Sequence, residues 1–142
     1  MILLNDMDLT VDNVKRVLLA HDVRPTSQRV EIAKVLLCDL QHLSADQVLA
    51  RVNAQRPLVS KATVYNTLNL FAAQGLIKQV IIDAGKVFYD SNTDFHHHLY
   101  NEDTGVLQDV DASALKIDCM PELPEGTLGT GIDVIIRVRN QS

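Results

Sequence analysis

The chain lacks several features that would commit it early to a function. No apolar run approaches the ~20 residues a membrane span requires, and the stretch holding Asn5, Asp6 and Asp8 has no basic-then-apolar secretion pattern. Both absences give the expectation of a cytoplasmic protein without a membrane partner. Cysteine occurs only as Cys38 and Cys119, far apart and outside any CxxC pair. That excludes a paired-cysteine zinc or redox motif and fits a reducing compartment. There is no glycine-rich phosphate loop, placed nucleophile or acid/base pair, so the sequence offers no enzyme chemistry. Internal repeats and low-complexity segments are absent as well.

A basic excess is also missing: the net charge is −5 over 142 residues. The distribution says more than the total. Residues 1–82 hold nine Lys/Arg against seven Asp/Glu, and residues 83–142 hold four against eleven, giving +2 and −7. A mildly basic front joined to an acidic back points to two tasks, and a nucleic-acid face, if present, is local and modest in non-specific affinity. With 46% hydrophobic and 22% charged residues, the chain is long enough for one good core or two small ones.

What is present centres on Ser60–Gly75. Ser60 suits an N-cap, residues 61–74 hold no Gly or Pro, and Gly75 suits a left-handed stop, so both ends of a helix are written here. Val64, Leu68 and Phe71 recur at i, i+4 and i+7, while Tyr65, Asn66 and Asn69 lie roughly opposite and Lys61 stands near the entrance. Asn pairs bidentately with adenine, Tyr and Thr meet phosphate or a thymine methyl, and Lys takes phosphate. Ser60, Lys61, Thr63, Tyr65, Asn66 and Asn69 are therefore candidate DNA contacts.

The flanking chain supplies a setting for such a helix. Residues 1–9 show no periodicity and are expected to be a mobile lead-in. Thr10 caps a first helix through His21, and Asp22-Val-Arg-Pro25 breaks it. Thr26 opens a second, with Val30, Ile32, Ala33, Val35, Leu36 and Leu37 as a wide apolar face. After a loop over Asp39–Leu43, Ser44-Ala-Asp-Gln47 is a capping box for a third helix, ended by Arg56-Pro57. Leu58 and Val59 make the turn into the central helix. Residues 77–82 and 86–90 read as strands joined by a short loop with Gly85, which completes three or four helices and a two-stranded wing. Beyond Ser91, residues 98–101 and 106–110 predict a second hairpin and residues 112–117 a short helix. Ile132, Val134, Ile136 and Val138 alternate as a strand with one buried face. The expected class is α+β, with a winged-helix DNA-binding domain over 1–90 and a small α/β dimerisation and sensor domain over 91–142. The back domain is too short to hide much surface alone, so a homodimer is expected.

Three of the five histidines are consecutive, His96, His97 and His98. In a strand the outer two share one face and His97 takes the other. His42 and Asp90 are plausible distant partners of the outer pair, and imidazole with carboxylate and no thiolate suits Fe(II), Mn(II) or Zn(II). On the opposite face, His97 is placed to meet Asp109 of the hairpin partner.

Six ordered blocks then resemble the ferric uptake regulators, and within them the iron response regulator branch. They are Arg24-Pro-Thr-Ser-Gln-Arg29, His42-Leu-Ser-Ala-Asp46, Ala62-Thr-Val-Tyr-Asn-Thr-Leu68, Phe88-Tyr-Asp90, His96-His-His98, and Leu123-Pro-Glu-Gly126 followed by Ile132-Asp-Val134. The resemblance spans about residues 14–139. It implies a dimeric repressor of iron and haem homeostasis genes that binds A·T-rich palindromes, with Tyr65 on the groove-reading helix and Arg24 reaching a narrow minor groove. It places the regulatory metal on His42, Asp90, His96 and His98, Asp90 matching after a one-residue gap, and a second metal or haem site on His97 and Asp109, with no later histidine to complete it. The ion implied is Fe(II) or Mn(II), with Zn(II) as a substitute, and haem is a further ligand the branch implies. Sensing of manganese or peroxide stress is the alternative. Two departures matter: Asn101-Glu-Asp-Thr104 stands where many relatives carry a CxxC, so structural zinc is not expected, and no Cys-Pro haem motif occurs.

Overall fold

The computed structural model describes residues 9–142. The lead-in expected over residues 1–9 lies outside the described residues except for Leu9, which packs against the first core. The chain divides into two compact units, Met1–Asp94 and Phe95–Ser142.

In the first unit the helices are α1 (Val11–Ala20), α2 (Ser27–Leu37), α3 (Ala45–Val52) and α4 (Lys61–Ala73). Each begins where a hydroxyl accepts an orphan amide: Thr10 from Asn13, Thr26 from Arg29, Ser44 from Gln47 and Ser60 from Thr63, at 3.1–3.3 Å. Gln47 answers Ser44 reciprocally, its side chain accepting the Ser44 amide at 2.9 Å. Gly75, with φ 76°, turns the chain out of α4 at no steric cost. The helices enclose one core from Val14 and Leu18 through Val30, Leu36 and Val48 to Val64, Leu68 and Phe71.

Strands β1 (His42–Leu43), β2 (Lys78–Asp83) and β3 (Lys86–Asp90) form an antiparallel sheet in the order β1-β3-β2. The wing is thus three-stranded, not two-stranded, and part of the expected loop over 39–43 is a strand. A two-residue strand shows no period-2 pattern. It is fixed instead by contacts remote in sequence: the Ser91 amide donates to the Gln41 carbonyl and the Gln41 amide to Ser91 Oγ, both at 3.0 Å.

The second unit holds β4 (His97–Asn101), β5 (Leu107–Val110) and β6 (Ile135–Val138), in the order β5-β4-β6. β4 and β5 form an antiparallel hairpin. The Asn101 side chain accepts the amides of Asp103 and Thr104 in its loop, and Gly105 takes φ 74°. β6 lies parallel to β4, so the long connection over residues 111–134 must cross back to it. Two expectations are corrected here. The helix over 112–117 is a single 3-10 turn, Ala112–Ala114, capped by Asp111, because six residues, none of those in the turn fully buried, are below a stable helix length. The last strand begins only at Ile135, and of the expected buried face Ile132 and Ile136 are each 37% exposed while Val134 and Val138 are half-buried, so the single chain covers that face only in part.

Phe71, fully buried in α4, tests the first core. Phe71→Ala is expected to lower the unfolding free energy by about 3–5 kcal/mol, and Ser44→Ala by about 1 kcal/mol, both read from urea denaturation of the purified protein.

Candidate metal centre and nucleic-acid interface

The apolar stripe of α4 is sealed in the core and its polar stripe faces out: Val64, Leu68 and Phe71 are fully buried, while Lys61, Tyr65, Asn66 and Asn69 are exposed. Ser60 and Thr63 are committed first to the cap, since Ser60 Oγ accepts the Thr63 amide and donates to Thr63 Oγ1 at 3.0 Å. The Lys61 ammonium stands 3.7 Å from Asp46 and 5.8 Å from the centre of the Tyr65 ring. Both partners of that ion pair are mostly exposed, so it is worth under about 1 kcal/mol and is readily exchanged for another anion. Arg24 is exposed just ahead of Pro25, its carbonyl accepting from the Arg29 guanidinium at 2.9 Å.

The metal-ligand candidates form two sets, one in each unit. In the first unit, β1 and β3 set His42 directly opposite Asp90, with Leu43 opposite Tyr89. Asp90 is completely buried, and one of its oxygens accepts the Asn92 amide at 2.9 Å. In the second unit, β4 pairs His98 with Asp109 of β5. The Asp109 carboxylate lies 3.3 Å from His96 Nε2 and 3.5 Å from His98 Nε2, and the two imidazole centres are 4.5 Å apart. Two donors each ~2.1 Å from one ion at a tetrahedral angle stand about 3.4 Å apart, so this spacing fits a shared cation.

Asp109 therefore does not join His97 in a second site. Successive β4 side chains alternate, His97 pairs in register with Val110, and Asp109 shares the face of His96 and His98. His97 instead meets Phe95 edge-on at 5.0 Å. Its buried Nδ1 has no hydrogen-bond partner among the described residues.

Two residues of the first unit escaped the sequence reading. Asn53, which caps the end of α3, holds the turn into α4: its Oδ1 accepts the amides of Leu58 and Val59 at 2.8 and 3.0 Å, and its Nδ2 donates to the Val59 carbonyl at 2.9 Å. An Asn closing a helix just ahead of Arg56-Pro57 is the signal that could have marked it. Tyr89 donates from its hydroxyl to Asn69 Oδ1 at 3.4 Å, linking β3 and α4. No local pattern predicts that contact.

A helical unit ending in a wing, followed by a small mixed sheet carrying clustered histidines, defines a winged-helix protein with an appended α/β unit. The sequence model of the Ferric uptake regulator family matches residues 20–119, and the chain belongs to that family. It is 32% identical over 87 residues to the peroxide-responsive repressor PerR of Staphylococcus epidermidis, a match covering 61% of this chain. The chain spans 58% of the length of that relative. Among solved structures it is similar to the ferric uptake regulator of Francisella tularensis with iron, at 25% identity and a TM-score of 0.67 over 83% of this chain and 92% of that one. The fold is shared with the Pseudomonas aeruginosa ferric uptake regulator with manganese, at 23% identity and a TM-score of 0.68 over 90% and 98% of the two chains. No helix of the described residues is long and apolar enough to cross a membrane.

The Asn53 clamp gives a direct test. Asn53→Ala leaves two amides and a carbonyl to find other partners and is expected to cost about 1–3 kcal/mol. Asn53→Asp keeps the acceptor and loses only the donor, so its loss in thermal unfolding is expected to be the smaller of the two.

Proposed function

We propose that the chain is a metal-responsive DNA-binding transcription regulator, a repressor acting as a homodimer on A·T-rich palindromic operators. Its sensor ion is held by His42, Asp90, His96 and His98, with Asp109 added from the second-unit geometry. The observation that carries this reading is the His96–Asp109–His98 cluster, in which two buried imidazoles share one carboxylate at ligand-to-ligand spacing. Five nitrogen and oxygen donors without thiolate exceed the four that closed zinc sites use, which favours Fe(II) or Mn(II) with Zn(II) as a substitute. When bound, a divalent cation supplies the positive charge that balances Asp90 and Asp109.

His42 and Asp90 come from one unit and the other ligands from the next. Asp90 and His96 are six positions apart in the chain, a tether of at most roughly 20 Å, short enough to allow both sets to meet on one ion. By ligating together, these residues tie the angle between the units to metal occupancy. In a two-fold dimer that angle sets the spacing of the two reading helices across a palindrome. Tyr65, Asn66 and Asn69 offer hydrogen bonds to base edges, Lys61 and Arg24 offer charge to phosphate or to a narrow minor groove, and Ser60 and Thr63 fix the helix entrance. Support for the dimer comes from apolar side chains exposed on the second unit, among them Val106, Ile117, Met120, Leu123, Leu128 and Ile132.

An iron signal is supported by the likeness to the iron-bearing Francisella tularensis regulator. A second reading, peroxide or manganese sensing, is favoured by the 32% identity to a peroxide-responsive repressor. Haem on the histidine run is a third signal, kept as a separate arm of the test. A metal-dependent enzyme on the same histidines predicts turnover without DNA binding, the opposite of what is expected here.

Operator binding measured by fluorescence anisotropy, with Fe(II), Mn(II), Zn(II) and haem added separately, tests the reading. Fe(II) or Mn(II) is expected to change affinity for an A·T-rich palindrome by about tenfold or more. The double variant His96→Ala/His98→Ala is expected to lose that response. A variant with the affinity of the unaltered protein under every condition would contradict the assignment.

A further inference from the structure

The first unit's half of the sensor lies one residue away from a side chain that touches the reading helix. β1 and β3 pair over only two positions, His42 with Asp90 and Leu43 with Tyr89. Asp90 and Tyr89 project to opposite faces of β3, so the backbone that carries the ligand also carries the phenol. Tyr89 is 3% exposed and belongs to the same core as Leu68 and Phe71, which leaves its ring little freedom to move independently of its strand. Its hydroxyl reaches Asn69 Oδ1, three residues beyond Asn66 and four beyond Tyr65 on the exposed stripe of α4.

We propose that Tyr89 is a positioning residue that passes the state of the His42–Asp90 pair to Asn69, and so selects which hydrogen bonds the reading helix presents to DNA. This inference rests on the functional reading above and deepens its regulation. The contact is 3.4 Å long, at the outer limit for a bond whose usual range is about 2.5–3.0 Å. A shift of β3 by a few tenths of an ångström, about the size of a ligand's adjustment, tightens or breaks it. When Asn69 Oδ1 accepts from Tyr89, one of its two lone pairs is taken and the carboxamide is held with its oxygen toward the phenol, which leaves Nδ2 as the group best placed to reach thymine O4 or a purine N7. Once released, the amide turns freely and regains the donor-plus-acceptor pairing that reads adenine. Occupancy of the sensor thereby alters recognition inside the first unit, separately from any change in the spacing of two units.

The test compares unaltered protein with Tyr89→Phe, which removes one oxygen from a buried ring, using Zn(II) as a diamagnetic probe ion. Two quantities are read: the ratio of affinities for an A·T-rich palindrome with and without Zn(II), and the nuclear magnetic resonance shift of the Asn69 side-chain amide on adding Zn(II). In Tyr89→Phe, Zn(II) still binds, but the affinity ratio is expected to fall by at least about fivefold and the Asn69 shift to disappear. Asn69→Ala, at an exposed position, carries the test should Tyr89→Phe not fold: it loses the same part of the ratio, and the double variant loses no more. An unchanged ratio and an unchanged Asn69 shift in Tyr89→Phe overturn the proposal, as does a full Zn(II) response in Asn69→Ala. Should the Asn69 amide move with Zn(II) only when Tyr89 is present while no palindrome is bound, the relay stands and the DNA-binding reading fails.

Discussion

The pairing of His42 with Asp90 across β1 and β3 is the constraint on which the first unit's chemistry depends. Two residues of strand would not hold by themselves. They are fixed by Gln41 and Ser91, which exchange hydrogen bonds at the ends of the pair, and by Leu43, which is buried and runs directly into the Ser44 cap of α3. One short ladder thus connects a candidate ligand pair, the entrance of a helix and, through Tyr89, the exposed face of α4. A perturbation at the ligands has rigid neighbours to push against, because the core around Tyr89 is close-packed.

The second unit has a different economy of structure. Its three strands bury three consecutive histidines but leave many of its aliphatic side chains exposed. A carboxylate between His96 and His98 offsets the cost of burying imidazoles, whereas His97 Nδ1 has no such partner among the described residues. Exposed apolar side chains concentrate where the chain runs from β5 to β6, at Ile117, Met120, Leu123, Leu128 and Ile132. Surface of that kind is what a two-fold partner would cover.

Much of the first unit was legible because its signals are local. Thr10, Thr26, Ser44 and Ser60 each cap the helix they were expected to open, and Gly75 closes α4 as its position predicts. Periodicity located the core faces of α2 and α4 for the same reason. What failed depends on distant partners. β1 owes its existence to β3, and the shortening of β6 follows from having one neighbour and only partial cover. The expected helix at 112–117 had a pattern but too few residues to sustain more than one turn. At the site, alternation correctly separated His97 from His96 and His98. It could not tell which of them Asp109 would face, because hairpin register depends on the conformation of the loop around Asn101 and Gly105.

We propose that His42, Asp90, His96, His98 and Asp109 hold a single ion. X-ray absorption spectroscopy of protein loaded with one equivalent of Mn(II) or Zn(II) addresses it most directly, comparing the unaltered chain with His42→Ala. The account predicts one ion per chain, imidazole and carboxylate scattering without sulfur, and the loss of one imidazole when His42 is replaced. Sulfur in the shell from Cys38 or Cys119, or an imidazole count indifferent to His42, would contradict it.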